Sequence, residues 1–190
     1  TGRPVRIVHT MEEVLVIGHM RHPFKIRLKM GVKKDGSIHA VQYHVISDGG
    51  AHSRIGQLSI FNPGLYPNIL YKIPNFRYDA YRIYTNKSWA GAMRGHGSPQ
   101  TFFAFESMLD MLAGDLGMDE IAIRKKNGVS PGHVANNGLR ITSCALHECI
   151  EKAEELSGWK QKKGRLPKNR GIGIGCAGFI SGPGIMGHAA

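Results

Sequence analysis

Apolar and polar residues alternate strictly from Phe24 to Met30, with Phe24, Ile26, Leu28 and Met30 on one side and Lys25, Arg27 and Lys29 on the other. Successive side chains of a pleated strand point to opposite faces, so this period of two predicts a strand with one face buried. Lys34-Asp35-Gly36-Ser37 follows, carrying an Asp-Gly pair of the kind that closes hairpins, and Ile38 to Ile46 returns as the second arm. Gly49-Gly50 ends it. Tyr78 to Tyr84 alternates again and predicts a third strand. Val5 to Thr10 predicts a short strand, and Met11, Glu12, Glu13 and Val14 a short helical stretch. Between 51 and 75, Pro63, Gly64, Pro67 and Pro74 predict irregular chain, because proline lacks the amide a regular element needs.

The period changes after Ser98. Ser98 reads as an N-cap with Pro99 at the first helical position, and Phe102, Phe105, Leu109, Leu112 and Leu116 then recur at spacings of three and four. Leu109 is expected in the core; Glu106 is expected to lie away from the centre of the stripe and to tolerate alanine. Gly117 stops the helix. A second helix starts at Asp119 and ends at Asn127-Gly128; a third runs from Cys144 to Leu156 and stops at Gly158. Arg170 to Ile180 predicts a strand punctuated by glycine. Strands first and helices afterwards argue for an α+β architecture, a mixed or antiparallel sheet packed against helices.

Composition narrows the function. The chain has 190 residues, 42% hydrophobic and 21% charged, which is globular in character and long enough for one domain plus a piece of another. No apolar run approaches the roughly 20 residues of a membrane-spanning helix, so no membrane is expected. Thr1-Gly2-Arg3-Pro4 lacks the features of a signal peptide. With no initiating Met and an abrupt end at Ala190, the chain is expected to be an internal piece of a larger protein. Three sparse cysteines (Cys144, Cys149, Cys176) make no disulfide framework and fit a reducing, cytoplasmic setting. A formal net charge of +11 raises the question of nucleic acid. The charges are spread out, however, and their one cluster (Lys160, Lys162, Lys163, Arg165, Lys168, Arg170) carries Gly164 and Pro167 and reads as a linker.

Two motifs lead nowhere. Gly173-Ile174-Gly175-Cys176-Ala177-Gly178 matches a dinucleotide pattern, but the Gly- and Pro-bearing residues after it cannot form the helix such a site needs. Cys144, His147 and Cys149 are close in sequence, yet Cys149 points away from Cys144 on a helix and no second ligand pair exists. His19 and His22 read as surface or packing residues. The informative stretch is Gly91-Ala92-Met93-Arg94-Gly95-His96-Gly97-Ser98-Pro99-Gln100. Glycines let a backbone approach a ligand closely, Arg94 supplies a fixed positive charge, and the start of a helix offers free amides. The expected ligand is anionic: phosphate, carboxylate or metal-bound oxygens. The rival reading is a tight turn with Arg94 in solvent.

This stretch resembles the cofactor loop of the xanthine dehydrogenase, aldehyde oxidase and hydroxybenzoyl-CoA reductase family. Gly2-Arg3-Pro4-Val5, Arg21-His22-Pro23-Phe24, the Gly31 to Asp35-Gly36 turn, Asp48-Gly49-Gly50-Ala51, Tyr71-Lys72-Ile73-Pro74-Asn75 and Arg124-Lys125-Lys126-Asn127 resemble it too, in the same order. The resemblance implies a molybdopterin-binding domain over residues 1–169 and the start of a second one at 170–190. It implies a molybdenum–molybdopterin cofactor, in its cytosine dinucleotide form, acting on an aromatic, heteroaromatic or aldehyde carbon of a small molecule. Iron–sulfur clusters and FAD would sit on partner subunits or domains.

Residue by residue, the resemblance implies that Ala92, Met93, Arg94, Gly95 and His96 approach the cofactor. His96 stands where purine-oxidising members carry a stacking phenylalanine, and Asn62 stands where they carry an arginine nine residues before the Tyr-Lys-Ile-Pro-Asn motif. Both departures argue against a purine substrate. Phe179 and Ile180 are implied for the substrate channel. The family's catalytic glutamate and its other cofactor loops have no counterpart here, so the isolated chain is expected to be inactive. The alternatives are a basic nucleic-acid-binding module and a non-catalytic assembly domain.

Overall fold

The predicted hairpin anchors the computed structural model, which describes residues 2–180. The helix α1 (Met11–Ile17) and the short strand β1 (Met20–Arg21) precede it, and its arms are β2 (Phe24–Val32) and β3 (Ile38–Asp48). Asp35 closes the turn by accepting from the Ser37 amide and hydroxyl at 3.0 Å. β2 and β3 pair antiparallel from Phe24↔Ser47 to Gly31↔Ala40, and a bulge then shifts the register to Val32↔Ile38. The extra residue changes the parity of β3, so Ile38 joins Val41, Tyr43 and Val45 in the core.

β4 (Asn75–Ile83) lies parallel to β3, giving a mixed three-stranded sheet in the order β2-β3-β4. Parallel neighbours need a crossover. Here it consists of a 3-10 turn at Arg54–Gln57, α2 (Leu58–Phe61), a second 3-10 turn at Asn62–Gly64, and α3 (Tyr66–Leu70). Of the prolines expected to block regular structure, Pro63 and Pro67 sit in first turns, where their missing amide is harmless, and Pro74 lies just before β4. β5 (Ala90–Gly91) pairs in parallel with β1. α4 (Ser98–Leu116) and α5 (Glu120–Asn127) follow, and Phe105, Leu109, Ala113 and Ile123 close the core against the sheet. α6 (Leu146–Ser157) and α7 (Trp159–Lys162) form a smaller cluster around Ile150 and Trp159. This is the expected α+β class, with the sheet of the mixed kind.

Four local expectations are corrected. Residues 5–10 form no strand, because no described segment offers them a partner; Val5, Ile7 and Val8 stay exposed. Residues 171–180 have the alternating burial of a strand but pair with no described strand. Ser98 is the first residue of α4 rather than its cap; Gly97 holds that position. The third helix begins at Leu146 rather than Cys144. Of the expected second domain at 170–190, residues 181–190 lie outside the described residues. Among the described residues no helix is long and apolar enough to cross a membrane, and Cys144, Cys149 and Cys176 are free thiols.

Candidate cofactor-binding site

The loop between β5 and α4 is built from three consecutive left-handed residues: Gly95 at φ 98°, His96 at 43° and Gly97 at 87°. Gly97 has no freedom to be anything larger. A Cβ there would lie 2.4 Å from Pro63 Cγ and 2.5 Å from the Ser59 carbonyl oxygen. Glycine at this point serves close packing of the loop on the crossover, not close approach to a ligand.

The start of α4 supplies fewer donors than expected of it. The Ser98 amide donates to the Gly95 carbonyl at 2.7 Å and the Thr101 amide to the Gly97 carbonyl at 3.1 Å, while Pro99 has none. The donors left over are the Gln100 amide in the first turn of α4 and amides of the loop itself. The amides of Arg94 and Gly95 meet no backbone acceptor among the described residues, and the Arg94 side chain is exposed. A concave turn of amides beside a guanidinium suits a group rich in anionic oxygens.

Two side chains before the sheet hold this loop, and Gln100 of α4 braces them. His19 Nε2 donates to the Ala92 carbonyl at 2.7 Å, and the His19 ring packs on Trp89 at 4.8 Å. Arg21 donates to the Arg94 carbonyl at 3.0 Å and to Gln100 Oε1 at 3.5 Å. Gln100 in turn donates to the His22 carbonyl at 3.0 Å. The Arg-His-Pro-Phe motif is thus a bracket for the loop, a role its sequence did not disclose.

Of the residues expected at the site, Ala92 and His96 are half-buried and Met93 and Arg94 exposed. The structure brings Phe179 to His96, edge to face, with ring centroids 5.9 Å apart. Phe179 also meets Tyr66 at 5.7 Å and remains 47% exposed. Asn62 is buried, with its side chain against the Tyr66 hydroxyl, so it joins the same string through Tyr66. Ile180 is half-buried at the end of the described chain. Tyr66 was not anticipated. It is fully buried, and burial pushes its pKa up to about 12, so it remains neutral.

At the far side, Asp48 ties down the chain that enters the loop. It accepts from Thr85 Oγ1 at 2.6 Å, Lys87 Nζ at 2.8 Å and the Gly50 amide at 3.1 Å. Hydrogen bonds from Lys87, then Thr85, then Gly50 lower its pKa to about 2. A depressed carboxylate stabilises the fold fully above its unfolded pKa near 4, and loses that contribution as the pH falls toward 2. Asp48→Asn is therefore expected to lower the Tm at neutral pH, with the gap to the parent closing between about pH 4 and 2. A gap that stays constant over that range would refute the assignment.

Residues 1–128, well over half of the chain, match the molybdopterin cofactor-binding domain. The chain belongs to that family. This molybdopterin-binding chain is 37% identical over 193 aligned positions to the xanthine dehydrogenase molybdenum-binding subunit of Escherichia coli O157:H7, covering 95% of itself and 25% of that protein. It is 32% identical to the aldehyde oxidoreductase of Megalodesulfovibrio gigas, over 96% of itself and 20% of that enzyme. Among solved structures, the aldehyde oxidoreductase from Desulfovibrio gigas superposes with a TM-score of 0.72 at 30% identity, over 79% of this chain and 17% of that one. The molybdopterin-binding chain thus spans a quarter or less of the length of these relatives.

Proposed function

We propose that this chain forms one wall of a molybdenum–molybdopterin site in a larger oxidoreductase of the xanthine dehydrogenase and aldehyde oxidase type. The loop from Ala92 to Gly97, with the amides of Arg94 and Gly95 meeting no backbone acceptor among the described residues and with Arg94 exposed, is the observation that carries this reading. When bound, the cofactor supplies oxygen-atom transfer at an electrophilic carbon, coupled to electron transfer. Arg94 and the amides of the loop hold its anionic oxygens; Ala92, Met93, Gly95 and His96 shape the approach. His96 and Phe179 form an aromatic wall for a small aromatic, heteroaromatic or aldehyde substrate, with Asn62 and Ile180 behind it. The neutral Asn62 cannot balance developing negative charge as an arginine would, which disfavours purines.

The resemblance to the family supports the rest of the reading. The cofactor is the cytosine dinucleotide form, iron–sulfur and flavin groups sit on partner subunits or domains, and the enzyme is cytoplasmic. Residues 170–190 open a second cofactor-binding domain. The general base lies outside this chain, so residues 1–190 alone are inactive.

The test uses the full-length protein. Arg94→Ala is expected to reduce both molybdenum content and turnover, the latter by a factor of about 10²–10³ as for loss of one preorganised donor. His96→Asn keeps a residue that tolerates the left-handed backbone but removes the ring. It is expected to retain molybdenum while losing preference for aromatic over aliphatic substrates. Full turnover in Arg94→Ala returns the loop to a solvated turn, and loss of molybdenum in His96→Asn exchanges the two roles.

A further inference from the structure

Arg82 on β4 gathers three backbone carbonyls and one imidazole. Its Nη2 donates to the Gly49 carbonyl at 2.7 Å, to the His52 carbonyl at 2.8 Å and, at 3.4 Å, to the carbonyl of Ala90. Its Nε donates to His22 Nε2 at 3.2 Å. That contact requires the unprotonated nitrogen of a neutral imidazole. Burial, and then the Arg82 charge itself, lower the His22 pKa and keep it in that form. The chain also leaves room for the guanidinium. A Cβ at Gly49 would lie 2.4 Å from Arg82 Cζ, and one at Gly56 would lie 2.7 Å from Nε.

These contacts converge on one place. Gly49 directly follows β3, and its carbonyl also accepts the Ala90 amide at 3.0 Å. Ala90 opens β5, the root of the 92–97 loop, while His22 follows β1, the strand that pairs with β5. The loop's outer contacts from His19 and Arg21 are single hydrogen bonds to its own carbonyls. Arg82 adds a single side chain that ties this root to both the end of β3 and the β1–β2 junction. A planar fork with several fixed donors is suited to this; an ammonium is not.

We propose that Arg82 is a positioning residue for the cofactor loop, setting the place of Ala90 and Gly91, and through them Arg94 and His96, without touching the ligand. This rests on the reading of residues 92–97 as the cofactor loop, and the experiment separates the two. In the full-length protein, hydrogen exchange by mass spectrometry is measured for the segment 84–97 and for the β2–β3 hairpin, alongside molybdenum content. Arg82→Lys keeps the charge but loses the fork. Gly49→Ala keeps the arginine but drives its guanidinium out of place. Losing hydrogen bonds to a charged group is expected to speed exchange in 84–97 by roughly ten- to hundredfold in both variants. Exchange in the hairpin should be unchanged, and molybdenum content should fall. Arg77→Ala, an exposed position of the same strand paired with Asp79, should change neither.

Unchanged exchange in 84–97 overturns the positioning role. Exchange that rises equally in the hairpin also overturns it, because Arg82 would then support the whole fold. Faster exchange confined to 84–97 with full molybdenum content upholds the positioning of the loop and sinks its assignment to the cofactor.

Discussion

Glu106→Ala is expected to destabilise the fold by about 3–5 kcal/mol, the cost of leaving a buried charge without its partner. The charge left behind is Arg124, whose side chain is 0% exposed. Its Nε donates to Glu106 Oε2 at 2.7 Å and its Nη2 to the Glu106 carbonyl at 3.2 Å. Asp110 provides a second carboxylate at 2.8 Å, but it is half in solvent and compensates only one end of the fork. Burial by itself lowers the Arg124 pKa; the adjacent Glu106 charge outweighs this and holds it above the ordinary arginine value. The same carboxylate accepts from the Tyr71 hydroxyl at 2.5 Å and from the Cys176 amide at 2.9 Å. Its removal therefore also orphans two neutral donors, each costly when buried. Domains of this size have about 5–15 kcal/mol to lose. Urea unfolding of Glu106→Ala and of the parent decides it; equal midpoints would mean that Arg124 finds other company.

Leu109→Ala, one turn further along α4, is expected to cost about 2–5 kcal/mol by a different mechanism. Leu109 is fully buried in the cluster formed by Val41, Tyr43, Val45, Phe105 and Ile123. Truncation removes apolar contact and leaves a cavity between a helix and a sheet, two rigid elements that cannot collapse into it. The unfolding midpoint should fall with little change in the denaturant slope. A loss under about 1 kcal/mol would show that the site repacks around the smaller side chain. The two variants also differ in kind. Glu106→Gln should recover part of the first loss by keeping acceptor and shape, whereas Leu109→Met should recover most of the second.

The contrast between these neighbours shows what could be read from the sequence. Leu109 was legible because a leucine at helical spacing has one plausible destination. Glu106 was misread, although Phe102, Glu106, Leu109 and Ala113 follow the same three-and-four spacing. Position put it on the buried stripe; polarity suggested otherwise. Its partners stand 35, 18 and 70 residues away, and no local pattern discloses a charge pair formed at that range. Arg82 was missed for the same reason. It shares a strand face with Tyr78 and Ala80, and a charge on an inward face was the available signal. The β2–β3 hairpin was legible because pleat, turn and pairing partner are all local. The strand expected at 5–10 failed because a strand is completed by a neighbour, which the described residues do not provide. At the site, the loop and its arginine were recognisable as a motif. The source of its free donors was not, since this depends on which amides the loop's own carbonyls consume.

The left-handed backbone at His96 limits how this protein can be diversified. At φ 43° the position favours residues such as asparagine, aspartate and histidine, and strains β-branched ones regardless of what lies opposite. A library that randomises His96 to change substrate preference would spend most of its members on chains that distort the loop before any substrate is met. Phe179 packs against His96 from a segment without a left-handed backbone there and carries no such restriction. On the proposed reading of this wall, selectivity is open to change from the Phe179 side, while position 96 is held nearly constant by its own main chain.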